Sequence, residues 1–63
     1  MNIQVAQIVR CCTRDIGDAK AAEKYCRSVS FNARMNPWSP AEDSVYFAEA
    51  ADHFAKQQKE IEQ

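Results

Sequence analysis

The sequence contains no leucine, a single glycine and two prolines among its 63 residues. The scarcity of glycine and proline excludes collagen, Gly/Ser linkers and proline-rich disorder, which all need far more of these residues. No apolar run approaches the roughly 18 residues of a membrane span, so we expect no integral membrane segment and no membrane partner. Residues 1–8 lack a basic leader, which argues against a signal peptide and predicts a cytoplasmic protein.

Large apolar side chains are also scarce, since Ile, Val and Phe together account for only 11 of the 63 residues. A chain this short buries only about 60% of its unfolded surface, which leaves a marginal monomer. Small domains compensate with disulfides, a metal ion or another subunit. We therefore expect a partner surface, most simply a second copy of the same chain in a homodimer.

Charge is divided unevenly along the chain. Residues 1–38 carry six basic and three acidic side chains, whereas residues 39–63 carry two basic and six acidic ones, so the net charge is −1. The two halves can face each other within the fold or steer a charged partner. We favour neutralisation between helices of the same fold.

The apolar periodicity predicts one small all-α domain over residues 1–63, with two to three helices over about 3–14, 18–34 and 40–60. Such a chain forms a small helical bundle or a helical hairpin. The first segment is also compatible with a strand because its β-branched residues partly alternate, but a lone strand has nothing to pair with. Residues 57–63 are expected to fray, overhang into solvent or pack on another chain, because a helix of about 35 Å outruns so small a fold.

Polar residues and the glycine predict the boundaries of the first two helices. Asn2 and Asp18 are typical N-caps, whose side chains accept hydrogen bonds from the first N–H groups of a helix. Gly17 is the natural stop between the two helices, because glycine readily adopts the left-handed conformation that ends a helix.

The strongest local motif predicts the start of the third helix. Pro37 pushes Asn36 out of helical geometry and so ends the second helix. Ser39 is expected to be the N-cap, Pro40 to occupy the first helical position, and Glu42 to complete a capping box. The third helix is therefore predicted to start at residue 40.

Four large apolar residues are the candidate interaction residues. Phe47, Phe54 and Ile61 recur at helical spacing and form an apolar stripe on the third helix. Trp38 lies in the connection before that helix, where it is either the lid of the core or a binding anchor, since Trp is enriched at interface hot spots. Because the chain has few large apolar residues for its core, we favour the interpretation of Trp38 as a lid that covers the core.

A basic stripe on the second helix carries an alternative interpretation. Lys20, Lys24, Arg27 and Arg34 recur at helical spacing, and a basic helix face can neutralise nucleic-acid phosphates. The sequence pI of about 5.7 and the absence of helix-turn-helix spacing argue against this function. We favour a solvated face, or one that meets the acidic third helix.

The three cysteines and the single histidine do not form a recognisable reactive or metal site. Cys11, Cys12 and Cys26 lack the paired spacing of structural zinc sites, so we expect free thiols, no metal and no cofactor, with at most one of the adjacent pair in the core. A Cys26–His53 nucleophile pair needs an orienting acid, and Glu49 is better placed for a surface pair with His53. We therefore expect a non-enzyme.

The length of 63 residues, the uncharged start Met1-Asn2-Ile3-Gln4 and the SPAED segment from Ser39 to Asp43 resemble the very small early proteins that lambdoid bacteriophages encode in the exo-xis region. The resemblance extends over the whole chain but includes no motif of known chemistry, so no functional residue is carried over. It implies a regulatory protein of the host cytoplasm, made early, that perturbs host cell-cycle control. Such a protein favours lytic development by binding host or phage proteins.

Overall fold

The computed structural model describes the backbone of residues 2–62 and the side chains of residues 2–58. Three α-helices follow one another along the chain: α1 over Ile3–Asp15, α2 over Ala19–Met35 and α3 over Ala41–Glu62. The prediction of an all-α chain is confirmed, and the first segment is a helix rather than a strand.

The predicted N-caps of the first two helices are both formed. The side-chain oxygen of Asn2 accepts a hydrogen bond from the N–H of Gln4 at 2.7 Å. The carboxylate of Asp18 accepts one from the N–H of Ala21 at 3.1 Å. Each side chain thus pairs one of the N–H groups that the first turn of a helix leaves without a backbone partner.

The ends of α1 and α2 also follow the prediction. Gly17 has a positive φ of 83°, and its N–H joins that of Ile16 in donating to the carbonyl of Cys12, at 3.2 and 2.9 Å. Pro37 follows a residue held in extended geometry, because Asn36 has φ −95° and ψ 113°. One glycine and one proline therefore delimit the first two helices.

The predicted capping box at the start of α3 is wrong. The helix begins at Ala41, one residue later than expected, and the Ser39 side chain makes no hydrogen bond within the described part of the chain. The reason is a turn over residues 36–39. Asn36 accepts the N–H of Trp38 on its side chain at 3.0 Å and the N–H of Ser39 on its carbonyl at 3.2 Å, so residue 39 belongs to that turn.

Helices α2 and α3 pack along most of their length as an antiparallel hairpin, and α1 lies mainly against α3 with little contact to α2. The buried residues of α2 are Ala22, Cys26 and Ser30, and those of α3 include Ala50 and Ala51. These small side chains allow close approach of the α2 and α3 backbones. The buried core contains seven apolar side chains: Val5, Cys12, Ala22, Cys26, Ala50, Ala51 and Phe54.

Three polar contacts, spaced along the hairpin, fix the register of α2 against α3. The Ser30 hydroxyl donates to the carbonyl of Ser44 at 2.7 Å near the turn, where Ser30 is buried. Further along, Arg27 lies 3.6 Å from the carboxylate of Asp52. Near the far end, the Gln58 side chain donates to Glu23 at 2.8 Å.

Candidate interaction surface

Most of the bulky apolar side chains that are absent from the core lie at the surface. The total accessible surface is 4783 Å², whereas a folded monomer of 7.2 kDa is expected to expose about 4100 Å². The molecule thus leaves roughly 600–700 Å² more surface in water than a typical domain of this mass. The exposed large apolar residues are Ile3, Ile16, Tyr25, Phe31, Met35, Trp38 and Val45.

The four candidate interaction residues occupy different environments. The lid interpretation of Trp38 is wrong: its side chain is 90% exposed, because the turn over residues 36–39 lies beyond Ser30, the last buried residue of α2. Phe54 is 1% exposed and is the largest fully buried side chain, so it belongs to the core and not to a surface. Phe47 is partly buried against that core. The side chain of Ile61 lies outside the described residues.

The exposed sides of α2 and α3 together form a surface that we call the outer face. On α2, its residues recur every three to four positions, which keeps them on one side of the helix. On α3, the same spacing applies. The outer face consists of Lys20, Lys24, Arg27, Phe31 and Met35 on α2 and of Glu42, Val45, Glu49 and Asp52 on α3, all exposed.

Sequence reasoning identified the basic part of the outer face but missed its apolar part. Phe31 and Met35 continue the spacing of the basic stripe toward the end of α2, and they are 62% and 66% exposed. The signal that could have found them is the helical period itself, extended from Arg27 by four and eight residues. Arg34 lies beside the same surface.

The basic side chains of the outer face lie on α2 and its acidic side chains lie on α3. Where α2 and α3 meet, Arg27 is shared between Glu23, 2.8 Å away on its own helix, and Asp52 of α3 at 3.6 Å. Lys20 and Lys24 form no ion pair within the part of the chain that the structure describes. One half of the outer face is therefore basic and the other acidic.

Phe31 lines both of two shallow depressions of the outer face. The larger, of about 610 Å³, follows α2 and is bordered by Lys20, Lys24 and Arg27. The smaller, of about 230 Å³, crosses from α2 to α3 and reaches Ala48. An exposed aromatic ring thus has cationic side chains on one side and the small side chains of α3 on the other.

Glu23 anchors the edge of this surface. The side chains of Arg27 and then Gln58 donate hydrogen bonds to its carboxylate and hold the pKa of Glu23 below its ordinary value, although partial burial opposes this effect. Since the ionised form is the one that is stabilised, this contact favours the folded chain above the ordinary pKa of 4.5 and is lost as the pH falls below it.

A second, apolar groove of about 520 Å³ separates α1 from α2. It exists because α1 packs on α3 and leaves its other side without a close neighbour. Cys12 lies on the wall of this groove, beside the exposed Cys11 and opposite Tyr25, which is 51% exposed. The remaining lining residues are Gln4, Gln7, Ile8, Asp15, Ile16 and Phe47.

The cysteines divide into a buried pair and one exposed thiol. Cys12 and Cys26 are buried, and their Sγ atoms lie 3.8 Å apart across the α1–α2 contact. Cys11 is exposed, so only one member of the adjacent pair is in the core, as predicted. Burial raises the pKa of Cys26 to about 12, and the neighbouring Cys12 thiol adds to the effect.

The single histidine contacts neither an acid nor a thiol among the side chains described. Nε2 of His53 lies 3.1 Å from Nε2 of Gln57, and the imidazole meets the Phe54 ring edge-on at 5.7 Å. The expected surface pair with Glu49 is not formed. Within the described residues, no group of three potential metal ligands comes together, and no helix combines the length and the apolarity needed to cross a membrane.

Comparisons with protein-family models, with curated proteins and with solved structures found no match to the chain. The class that the geometry defines is therefore that of a small three-helix protein with a lean core, an outer face of segregated charge and a buried thiol pair.

Proposed function

We propose that the protein acts without catalysis, by protein–protein contact through the outer face, and that its first partner is a second copy of itself. The observation that carries this proposal is the position of Phe31. Its ring is 62% exposed on a surface whose basic and acidic halves lie on different helices. Exposed aromatic side chains surrounded by polar residues are typical centres of protein interfaces.

Charge complementarity favours a second copy over an unrelated partner. In a two-fold symmetric dimer the same patch pairs with itself, so a dyad through the outer face places α2 of each copy against α3 of the other. Such a dyad runs along the helices, so each residue of α2 faces the part of α3 that lies beside it in its own chain. Arg27 and Arg34 then face Glu49 and Glu42 of the second copy, while Phe31 meets Val45. Both halves of the face find the opposite charge in one arrangement.

The excess surface of the whole molecule is comparable to the area that such an arrangement buries. A specific interface of standard size buries about 800 Å² on each partner. The surface that the monomer exposes beyond the value expected for its mass is roughly 600–700 Å². Association thus brings the protein close to the burial of a self-sufficient domain.

Replacement of Phe31 tests this proposal. Phe31→Asp places a charge at the centre of the interface without touching the buried core, so we expect a folded monomer by sedimentation equilibrium where the natural chain is a dimer. Tyr25→Asp is the matched control, because Tyr25 is about equally exposed but lies at the α1–α2 groove, and it should leave the dimer intact. A natural chain that is monomeric at every micromolar concentration would overturn the proposal.

We further propose, on the resemblance to the small early proteins of lambdoid phages, that this protein binds a host or phage protein in the host cytoplasm and so favours lytic development. The exposed Trp38, which lies at the turn and outside the outer face, supports this role as an anchor for such a partner. Affinity capture from bacterial lysate should recover a partner with the natural chain and lose it with Trp38→Ala. Capture that is unchanged by Trp38→Ala would contradict the assignment of the anchor.

A nucleic-acid-binding regulator is the second candidate function. It is supported by the ring of Phe31 between basic side chains, since base stacking on aromatic residues accompanies phosphate contacts in many such proteins. The contacts would come from Lys20, Lys24, Arg27 and Arg34. Duplex and single-strand gel shifts should then weaken steeply with salt and be lost in the double variant Lys24→Glu, Arg27→Glu. Absence of a shift at low salt removes this function.

A further inference from the structure

Cys12 and Cys26 contact each other where α1 and α2 otherwise barely touch. Their Sγ atoms are 3.8 Å apart and both side chains are buried. Formation of a disulfide needs an S–S separation of about 2 Å, so the two sulfur atoms would have to approach by less than 2 Å. The groove between the two helices leaves α1 room for that movement.

One member of the buried pair lines the α1–α2 groove. Cys12 is 6% exposed and lies on the wall of the α1–α2 groove, whereas Cys26 is fully buried behind it. A reagent in the groove therefore meets Cys12 before Cys26. This order of access makes Cys12 the attacking thiol and Cys26 the resolving one.

We propose that Cys12 and Cys26 are an oxidisable dithiol site, which a small-molecule disulfide entering the α1–α2 groove converts to an intramolecular disulfide. The site joins α1 to α2 directly and leaves the outer face unchanged. This inference does not depend on the proposed self-association.

The reaction proceeds by two thiol–disulfide exchanges. The thiolate of Cys12 attacks one sulfur of the reagent R–S–S–R, which forms a mixed disulfide and releases the first R–S⁻. Cys26 then loses its proton and attacks Sγ of Cys12, which breaks the bond to the reagent and releases the second R–S⁻. Two cysteine thiols are oxidised, one R–S–S–R is reduced, and the two protons leave on two R–SH.

The high pKa of Cys26, about 12, makes the second exchange the slow step, because only the thiolate is nucleophilic. The disulfide should thus form slowly near neutral pH and faster as the pH rises. Once formed, it closes a loop from residue 12 to residue 26 and restricts the unfolded chain, so the oxidised protein should melt at a higher temperature.

Peptide mapping after incubation of the full chain with glutathione disulfide tests the proposal. Trypsin leaves Cys11 and Cys12 together on residues 11–14 and Cys26 on residues 25–27, so the Cys11→Ala variant is used to assign the bond. We expect that this variant loses the mass of two hydrogens and yields the 11–14 peptide linked to 25–27. Dithiothreitol should reverse both changes.

A parallel incubation in denaturant distinguishes a built site from chance pairing. Tandem mass spectrometry of the linked peptides distinguishes Cys11 from Cys12 in the natural chain. The folded natural chain should give the Cys12–Cys26 bond selectively, whereas the unfolded chain should give a mixture that includes Cys11–Cys26. Cys26→Ala, checked for helicity by circular dichroism, should form no intramolecular bond between α1 and α2. The proposal is overturned if the folded chain gives the same mixture as the unfolded one, or if only Cys11 is modified while the other two thiols stay reduced.

Discussion

Phe54 and Trp38 are both large aromatic residues, yet their environments are opposite. The first is 1% exposed and the second 90%. Phe54→Ala should cost about 3–5 kcal/mol, which is comparable to the whole free energy of unfolding of so small a domain. Trp38→Ala should change the free energy of unfolding by less than about 0.5 kcal/mol. Urea unfolding followed by circular dichroism measures both, and equal losses would contradict the burial of Phe54 and the exposure of Trp38.

At the same scale, Cys26 predicts a dependence of stability on alkaline pH. Its pKa lies near 12 in the fold against an ordinary value of 9.0, so the unfolded chain releases this proton first as the pH rises. The stabilising contribution is complete below pH 9 and is lost as the pH rises toward 12, by up to about 1.4 kcal/mol per pH unit. Cys26→Ala should show a shallower decline over this range in urea titrations, and an identical slope would refute the effect of burial.

At the scale of the helix, how much could be predicted depended on whether the decisive interactions were local. The caps at Asn2 and Asp18, the end of α1 at Gly17 and the extended residue before Pro37 all depend on neighbours within a few positions, and the sequence predicted each of them. The predicted start of α3 is one residue too early because two local interactions compete for Ser39, the capping box with Glu42 and the turn with Asn36. The turn formed by residue 36 prevailed over the capping box.

Gly17 offers a test at this scale, because it is the residue with a positive φ in the described chain. An added Cβ would meet nothing closer than 4.0 Å, so the cost of Gly17→Ala comes from the backbone conformation alone. We expect a loss of about 1 kcal/mol for Gly17→Ala and a smaller loss for Gly17→Asn, since Asn tolerates the left-handed region. Thermal melts compare the two variants. No loss with Gly17→Ala would show that the α1–α2 connection is not held in this conformation.

At the scale of the whole molecule, the small number of large apolar residues predicted that apolar surface would be exposed, but it did not predict where that surface lies. Phe31 and Met35 follow from the helical period of α2, whereas the choice of which side of α2 faces α3 depends on packing between distant residues such as Ser30 and Ser44. The grouping of Cys12 with Cys26 likewise depends on how α1 is placed, which no local pattern specifies. The expected behaviour of residues 57–63 stays a prediction, although α3 runs to Glu62.

Charge reversal tests the two-fold pairing of the outer face most directly. One variant carries Arg27→Glu and Arg34→Glu, so acidic side chains of α2 face the acidic side chains of α3. The other carries Glu42→Lys and Glu49→Lys, so basic side chains face each other. In the proposed dimer each variant repels itself, while a mixture restores opposite charges across both contacts. Sedimentation equilibrium should therefore show two monomers when the variants are separate and a heterodimer when they are mixed at equal concentration. Homodimers of either variant, or no association in the mixture, would contradict the account.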